Sequence, residues 1–345
     1  MAAPLADRLR AEIDEDGPIP VSRFVAAALY DDHEGFYAGA GRAGRRGDFI
    51  TSPEVGPLFG AVVSRAVDRW WDQAGRPDRF TVVEHGAGPG TLGRTVTAAA
   101  GETLSAGALR WVMVEPSAAQ RASHPEGPHL LSVAPDDADI GPVDVIVANE
   151  LLDNLPFDLI AHRAAGWVRL QVDTSDGAFV LIDGPTAAGP VAPVGATLPV
   201  ADAAVEWVRA QRDRHPLARL LLLDYMATTD DLVARDGGWL RAYRGHERVT
   251  DWLAAPGSAD ITIDVPLDQL VPFEPTRIST QAEFLRAHGI DELVEEGRAA
   301  WPANAAVGDL AALKARSRIR EAEALLDPAG LGAFTVLEWE PASDG

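Results

Sequence analysis

Residues 82–93 read VVEHGAGPGTLG. A valine-rich run ends in an acid, Glu84, and glycine then takes every second position: Gly86, Gly88 and Gly90. Glycine loses more conformational freedom on folding than any other residue, so a cluster of three needs a reason. One reading is a tight turn from a strand into a helix that binds nothing. The other is a backbone that something must approach closely. The flanks support the strand and the helix in either case: FTVVEHG (80–86) is a buried apolar run, and a helix is predicted from Thr91 to about Gly101.

Four further apolar runs have the same character: LRWVMVEP (109–116), VDVIVANE (143–150), RLLLLDYM (219–226) and FTVLEWE (334–340). Continuous rather than alternating apolar residues are what a parallel sheet covered on both faces requires. Strands alternating with helices predict an α/β fold, a Rossmann-like doubly wound sheet with helices on both faces. Upstream, PLFGAVVSRAVDRWWDQAG (57–75) carries apolar residues at helical spacing, with Gly75 as its stop, and VSRFVAAALY (21–30) is a shorter helix. GAGRAGRRGDFITSPEVG (39–56) is long for a connector, and IDGPTAAGPVAPVGATLP (182–199) reads as an irregular loop. The segment at about 228–304 breaks the αβ rhythm. The expected organisation is therefore an N-terminal helical extension with a covering loop (1–56), followed by the Rossmann-like domain (57–345), with an inserted subdomain at about 228–304.

Composition narrows the chemistry. The chain of 345 residues carries 52 acidic and 30 basic side chains, a net charge of −22. Such a surface repels phosphate backbones, so no nucleic-acid partner is expected. There are no cysteines, which excludes disulfides, thiol nucleophiles and thiolate metal sites. The eight histidines show no ligand spacing, and no metal is expected. The charged N-terminus does not resemble a signal peptide, and no apolar run is long enough to cross a bilayer. The expectation is a cytoplasmic protein without a membrane partner. Its oligomeric state is not legible.

Two cofactor classes place glycines after a first strand. Dinucleotide enzymes use G-x-G-x-x-G, with pyrophosphate over the helix N-terminus. Here the third slot holds Thr91, and Pro89 removes a backbone N–H from the loop. S-adenosyl-L-methionine has no phosphates and needs close backbone approach instead. On that reading Gly86, Gly88 and Gly90 line the cofactor and Glu84 meets its ammonium group. Glu115, ending the next strand in WVMVEPS, accepts both ribose hydroxyls. An acid at that place also serves nicotinamide cofactors, so an NAD-dependent oxidoreductase is the rival.

VIVANELLDNLPF (145–157) ends another strand, and ligands in such sheets sit beyond the carboxyl ends of the strands. Asn149, Glu150 and Asp153 are candidates there. In a helical turn, Glu150 and Asp153 share a face and can clamp a guanidinium or accept protons from an amine. The alternative is a helix capped by Asn149, whose first-turn acids merely suit the dipole. RRGDFITSPEVG (45–56) is either a loop that closes over a cofactor or a solvated connector. In GGWLRAYRGHERVTDWL (237–253), His246 is a candidate general base or a structural histidine.

Taken together and in this order, GDFITSPEVGPLFG, EHGAGPGTL, VEPS, ANELLDNLPF, LLLLDYM, LRAYRGH, DITIDV and TQAEFLRAHGI resemble the MidA family of class I methyltransferases. That family includes the mitochondrial arginine methyltransferase of complex I assembly. The resemblance spans about residues 20–340. It implies S-adenosyl-L-methionine as cofactor and an arginine-bearing protein as acceptor, hence protein arginine methylation. It places Asp48, Thr51, Ser52, Pro53 and Glu54 in the cofactor's N-terminal cover and Asn149, Glu150 and Asp153 near the acceptor. The glycine loop departs from the family's usual E-L-G-P-G-R-G-T-L: His85 replaces an apolar residue and the loop arginine is missing. DYM stands where Asp-Tyr-Gly is usual. A small-molecule N- or O-methyltransferase and a non-catalytic assembly factor are the other functions compatible with the sequence.

Overall fold

The computed structural model describes residues 3–38, 51–135, 140–245, 247–304 and 310–341. The chain divides into two compact units. One comprises residues 49–150, 215–224 and 275–345 and holds the large sheet. Its strands are β1 (Phe80–His85), β2 (Leu109–Val114), β3 (Leu130–Val133), β4 (Val145–Asn149), β5 (Arg219–Asp224), β6 (Arg277–Thr280) and β7 (Thr335–Trp339). They lie in the order β3-β2-β1-β4-β5-β7-β6. The five strands from β3 to β5 are parallel, whereas β7 runs antiparallel to both of its neighbours. The order reverses direction between β1 and β4, which places a ligand crevice outside the carboxyl ends of those two strands.

The expected Rossmann-like sheet is present, and its five long strands are those named from the sequence. Alternate residues of β1, β2, β4, β5 and β7 enter one hydrophobic core: Phe80, Val82, Trp111, Met113, Val145, Val147, Leu221, Leu223 and Val336. That core is completed by helix α1 (Pro57–Gln73), helix α2 (Thr91–Ala99) and the helices α3 (Gln281–Ala287) and α4 (Ile290–Asn304). Residues of the other parity, such as Val83, Val112, Ile146, Leu220 and Leu222, are buried as well. This is why RLLLLD carries no polar alternation.

The second unit comprises residues 1–48, 151–214 and 225–274. Helix Leu5–Asp16 buries Leu5, Leu9 and Ile13 at a four-residue spacing, and helix Val21–Tyr30 follows where it was expected. A five-stranded antiparallel sheet includes the long hairpin Gly166–Ser175 and Ala178–Thr186. A smaller three-stranded sheet pairs Leu240–Arg244 with Asp260–Ile263 and Glu247–Arg248.

The division differs from the expected one. The N-terminal unit does not stop at 56 and a single insertion does not run from 228 to 304. Two excursions, 151–214 and 225–274, share one compact unit with the N-terminal residues, while 275–304 returns to the large sheet as β6, α3 and α4. The loop read at 182–199 begins as a strand: Ala178–Asp183 pairs continuously with the hairpin partner, a bulge falls at Gly184 and Pro185, and Thr186 pairs again. Among the described residues, no helix is long and apolar enough to cross a membrane.

Candidate active site

All three loop glycines adopt positive φ: 66° at Gly86, 53° at Gly88 and 73° at Gly90. This is the left-handed region, where a Cβ is costly. Their surroundings differ. A side chain at Gly88 would meet no atom within 4 Å. At Gly90 it would lie 2.7 Å from Pro125 and 3.0 Å from the Met113 sulfur. Gly90 is thus required by packing, whereas Gly88 borders open space.

The two acids that end β1 and follow β2 do different work. Glu84 is buried, and its Oε2 accepts a 2.6 Å hydrogen bond from the indole of Trp111. Burial pushes its pKa up to about 8, opposed by the Trp111 and Gly93 N–H donors. By strand alternation it points into the core beneath α2, so it is a neutral buttress and not the expected partner of an ammonium group. Glu115 is also buried, and burial raises its pKa. Its Oε2 accepts from the Gly88 N–H at 3.0 Å and its Oε1 from the Ser117 N–H at 2.8 Å. Each oxygen takes one backbone donor and keeps further acceptor capacity.

At the end of β4, Glu150 has φ 52°, an uncommon conformation for a residue with a Cβ. Its N–H is fixed by the Leu223 carbonyl at 2.8 Å, which extends the β4–β5 ladder by one residue. Its Oε1 accepts from the Asn149 amide and from the Ser52 N–H, both at 3.0 Å. The Oδ1 of Asn149 is buried without a hydrogen-bond partner. Ser52 itself is fully buried and donates its hydroxyl to Gln281 Oε1 at 2.8 Å. Thr51 precedes a short helix, Ser52–Val55, in which Pro53 is buried, and the Thr91 hydroxyl donates to Glu54. Gly56 makes room for the Glu321 carboxylate, whose Oε2 accepts from the Leu58 N–H at 2.8 Å at the start of α1. The SPEVG motif is thereby anchored to the sheet unit on both sides.

The expected helical face shared by Glu150 and Asp153 is not formed. The left-handed turn at Glu150 interrupts the backbone, and only a short 3₁₀ turn, Leu152–Asn154, follows. Asn149 accordingly caps no helix. Asp153 belongs to the second unit, where it is buried and accepts a 2.6 Å hydrogen bond from Thr262. Burial raises its pKa, against hydrogen bonds from Thr262 and Tyr225 and the charge of Arg241. Nearby in the same unit, Asp260 accepts from Tyr37 at 2.8 Å and from Asn154 at 3.1 Å, and Asp264 pairs with Arg241 at 2.6 Å and with Arg235. The alternation of DITID thus presents Asp260, Thr262 and Asp264 to one polar core. His246 and Asp48 lie outside the described residues.

Residues 62–274 match the family described as "Putative S-adenosyl-L-methionine-dependent methyltransferase". The chain belongs to this family, the MidA-like methyltransferases. It is 29% identical over 305 residues to the mitochondrial "Protein arginine methyltransferase NDUFAF7 homolog" of Drosophila melanogaster, covering 76% of this chain and 68% of the fly protein. The mouse protein arginine methyltransferase NDUFAF7 is 26% identical, covering 84% of this chain and 74% of its own. A "likely methyl transferase" from Burkholderia thailandensis, crystallised with S-adenosyl-homocysteine, shares 29% identity and superposes with a TM-score of 0.83, over 99% of this chain and 92% of that one.

The cofactor of this MidA-like chain is S-adenosyl-L-methionine. The site fits it on three counts. The Gly88 backbone faces open space, Glu115 retains acceptor capacity on both oxygens for a ribose diol, and Asn149 offers an unused buried acceptor. Sequence reasoning missed Gln281 and Glu321, which hold the SPEVG segment from positions more than two hundred residues downstream, as the hydrogen bonds of Ser52 and Leu58 show. Only the family motif around TQAEFLRAHGI hinted at the first.

Proposed function

We propose that this methyltransferase transfers a methyl group to a side-chain nitrogen of a protein arginine. The observation that carries the reading is Glu150, a carboxylate held in a left-handed turn at the carboxyl end of β4. Strained conformations of this sort, costing on the order of 1–3 kcal/mol, persist where function uses them. When bound, the cofactor supplies an electrophilic methyl group on a sulfonium. The chain supplies alignment: Glu115 and the glycine loop orient one reactant, and Glu150 orients a cationic nitrogen and delocalises its charge through charge-assisted hydrogen bonds. Ser52 and Asn149 fix one oxygen of Glu150, so the carboxylate is preorganised. The net charge of −22 favours a cationic acceptor. The fly and mouse relatives, which are named protein arginine methyltransferases, support the same acceptor class.

The test is a labelled-methyl transfer assay with an extract of proteins, followed by acid hydrolysis and identification of the labelled amino acid. Methylarginine that disappears with Glu150→Gln supports the proposal. Label confined to small molecules would replace it with a small-molecule methyltransferase. Tight binding of S-adenosyl-L-methionine without transfer to any fraction would leave a non-catalytic assembly role as the better reading.

A further inference from the structure

We propose, on the reading that the glycine loop carries S-adenosyl-L-methionine, that His124 is a positioning residue for that loop, donating from Nε2 to the Gly88 carbonyl while its Nδ1 is held by Ser132. The peptide units around Gly88 are gripped from both polar ends. The Gly88 N–H donates to Glu115, and the Gly88 carbonyl lies 2.8 Å from His124 Nε2. A carbonyl only accepts, so Nε2 carries the proton. The other ring nitrogen, Nδ1, lies 2.7 Å from the Ser132 hydroxyl, which donates to it. The opposite tautomer would set two lone pairs against each other at Gly88.

The support behind the ring is the sheet itself. Ser132 sits on β3 in register with Met113 on β2. The Met113 sulfur and the His124 ring both border Gly90, where an added Cβ would come within 3.0 and 3.1 Å of them. One histidine therefore connects the loop to the β2–β3 edge, and the loop cannot swing out without breaking two hydrogen bonds. Burial, with Arg121 and Arg94 nearby, holds the imidazole pKa below its ordinary value and keeps the ring neutral. A loop of three left-handed glycines gains most from such a clamp, because its free state is the most disordered.

Calorimetric titration with S-adenosyl-homocysteine tests this on the wild type, His124→Ala and His124→Gln. The Gln amide N–H reaches roughly where Nε2 does. The expected result is affinity about tenfold weaker for His124→Ala, the loss of one hydrogen bond, and recovery to within about threefold for His124→Gln. In a parallel experiment, nitrogen NMR of the imidazole should show the Nε2–H form both in the wild type and in Ser132→Ala, because the Gly88 carbonyl only accepts. Equal affinity in His124→Ala and the wild type, or no recovery in His124→Gln, overturns the proposal, as does an Nδ1–H ring in the wild type. A wild type that binds no S-adenosyl-homocysteine would instead defeat the cofactor reading, and the positioning role with it.

Discussion

The buried aspartates of the second unit and the polar groups at the strand ends of the sheet unit are paired differently. In the second unit, Asp153, Asp260 and Asp264 are each met by hydroxyl, amide or guanidinium donors from the same unit. In the sheet unit, Glu115 and Asn149 stand at the strand ends with acceptor capacity left over, and Glu150 is held in a strained turn. A buried acceptor without its full set of donors costs free energy. A polar core that draws its donors from its own unit specifies a fold, whereas acceptor capacity left over at a strand end is a place prepared for a ligand. The contrast separates Glu150 from Asp153, three residues further along the chain.

That contrast can be broken most sharply at the glycine loop. Gly88→Val places a branched side chain into open space at positive φ. Binding of S-adenosyl-homocysteine should weaken by more than about 100-fold while far-UV circular dichroism stays native, the strain being on the order of 1–2 kcal/mol. Gly90→Val should do the reverse in emphasis, since its Cβ meets Pro125 and Met113: the thermal midpoint should fall further than in Gly88→Val. Equal loss of stability in the two variants would remove the distinction between a ligand-facing and a packing glycine.

The acids come next in size. Glu115→Ala removes the acceptor of two backbone N–H groups and of the ribose, and should cost about 100-fold in cofactor affinity. Asp153→Ala should leave that affinity unchanged but destabilise the protein by about 1–3 kcal/mol in urea melts, because Thr262 loses its partner. If Asp153→Ala instead lost methyl transfer with stability intact, Asp153 would return to the catalytic site. Glu150→Gln should reduce turnover about tenfold or more, with cofactor affinity within about threefold of the wild type.

The sheet was legible because its strands are buried on both faces, so FTVVEH and RLLLLD have no competing helical or alternating pattern. The edge strands β3 and β6 were not, since LLSV and RIST are four residues each and largely exposed. The helical spacing of Glu150 and Asp153 misled because the β4–β5 ladder extends to the Glu150 N–H and Glu150 itself is left-handed, so no helical turn joins the two acids. Glycine and Glu115 announced the cofactor locally. His124 and Glu321 announced nothing, and Gln281 only through the motif around it, because a lone histidine, glutamine or glutamate carries no period and the segments they hold, at Gly88, Ser52 and Leu58, are distant in the sequence.

The pH dependence of stability tests the role of Glu84 as a neutral buttress at the end of β1. An unfolded glutamate ionises near 4.5, whereas burial holds Glu84 protonated up to about 8. Between those values the native state keeps a proton that the unfolded chain has lost. Stability therefore falls as pH rises across that window, by up to about 1.4 kcal/mol per pH unit from this group alone, and the dependence vanishes above and below it. Glu84→Gln imitates the neutral acid and keeps an acceptor for the Trp111 indole. Urea melts of the two proteins at pH 5, 6, 7 and 8 should show the variant gaining steadily on the wild type. A constant difference across that range would mean that Glu84 ionises like an exposed carboxylate, and the ammonium contact assigned to it from the sequence would again be open to it.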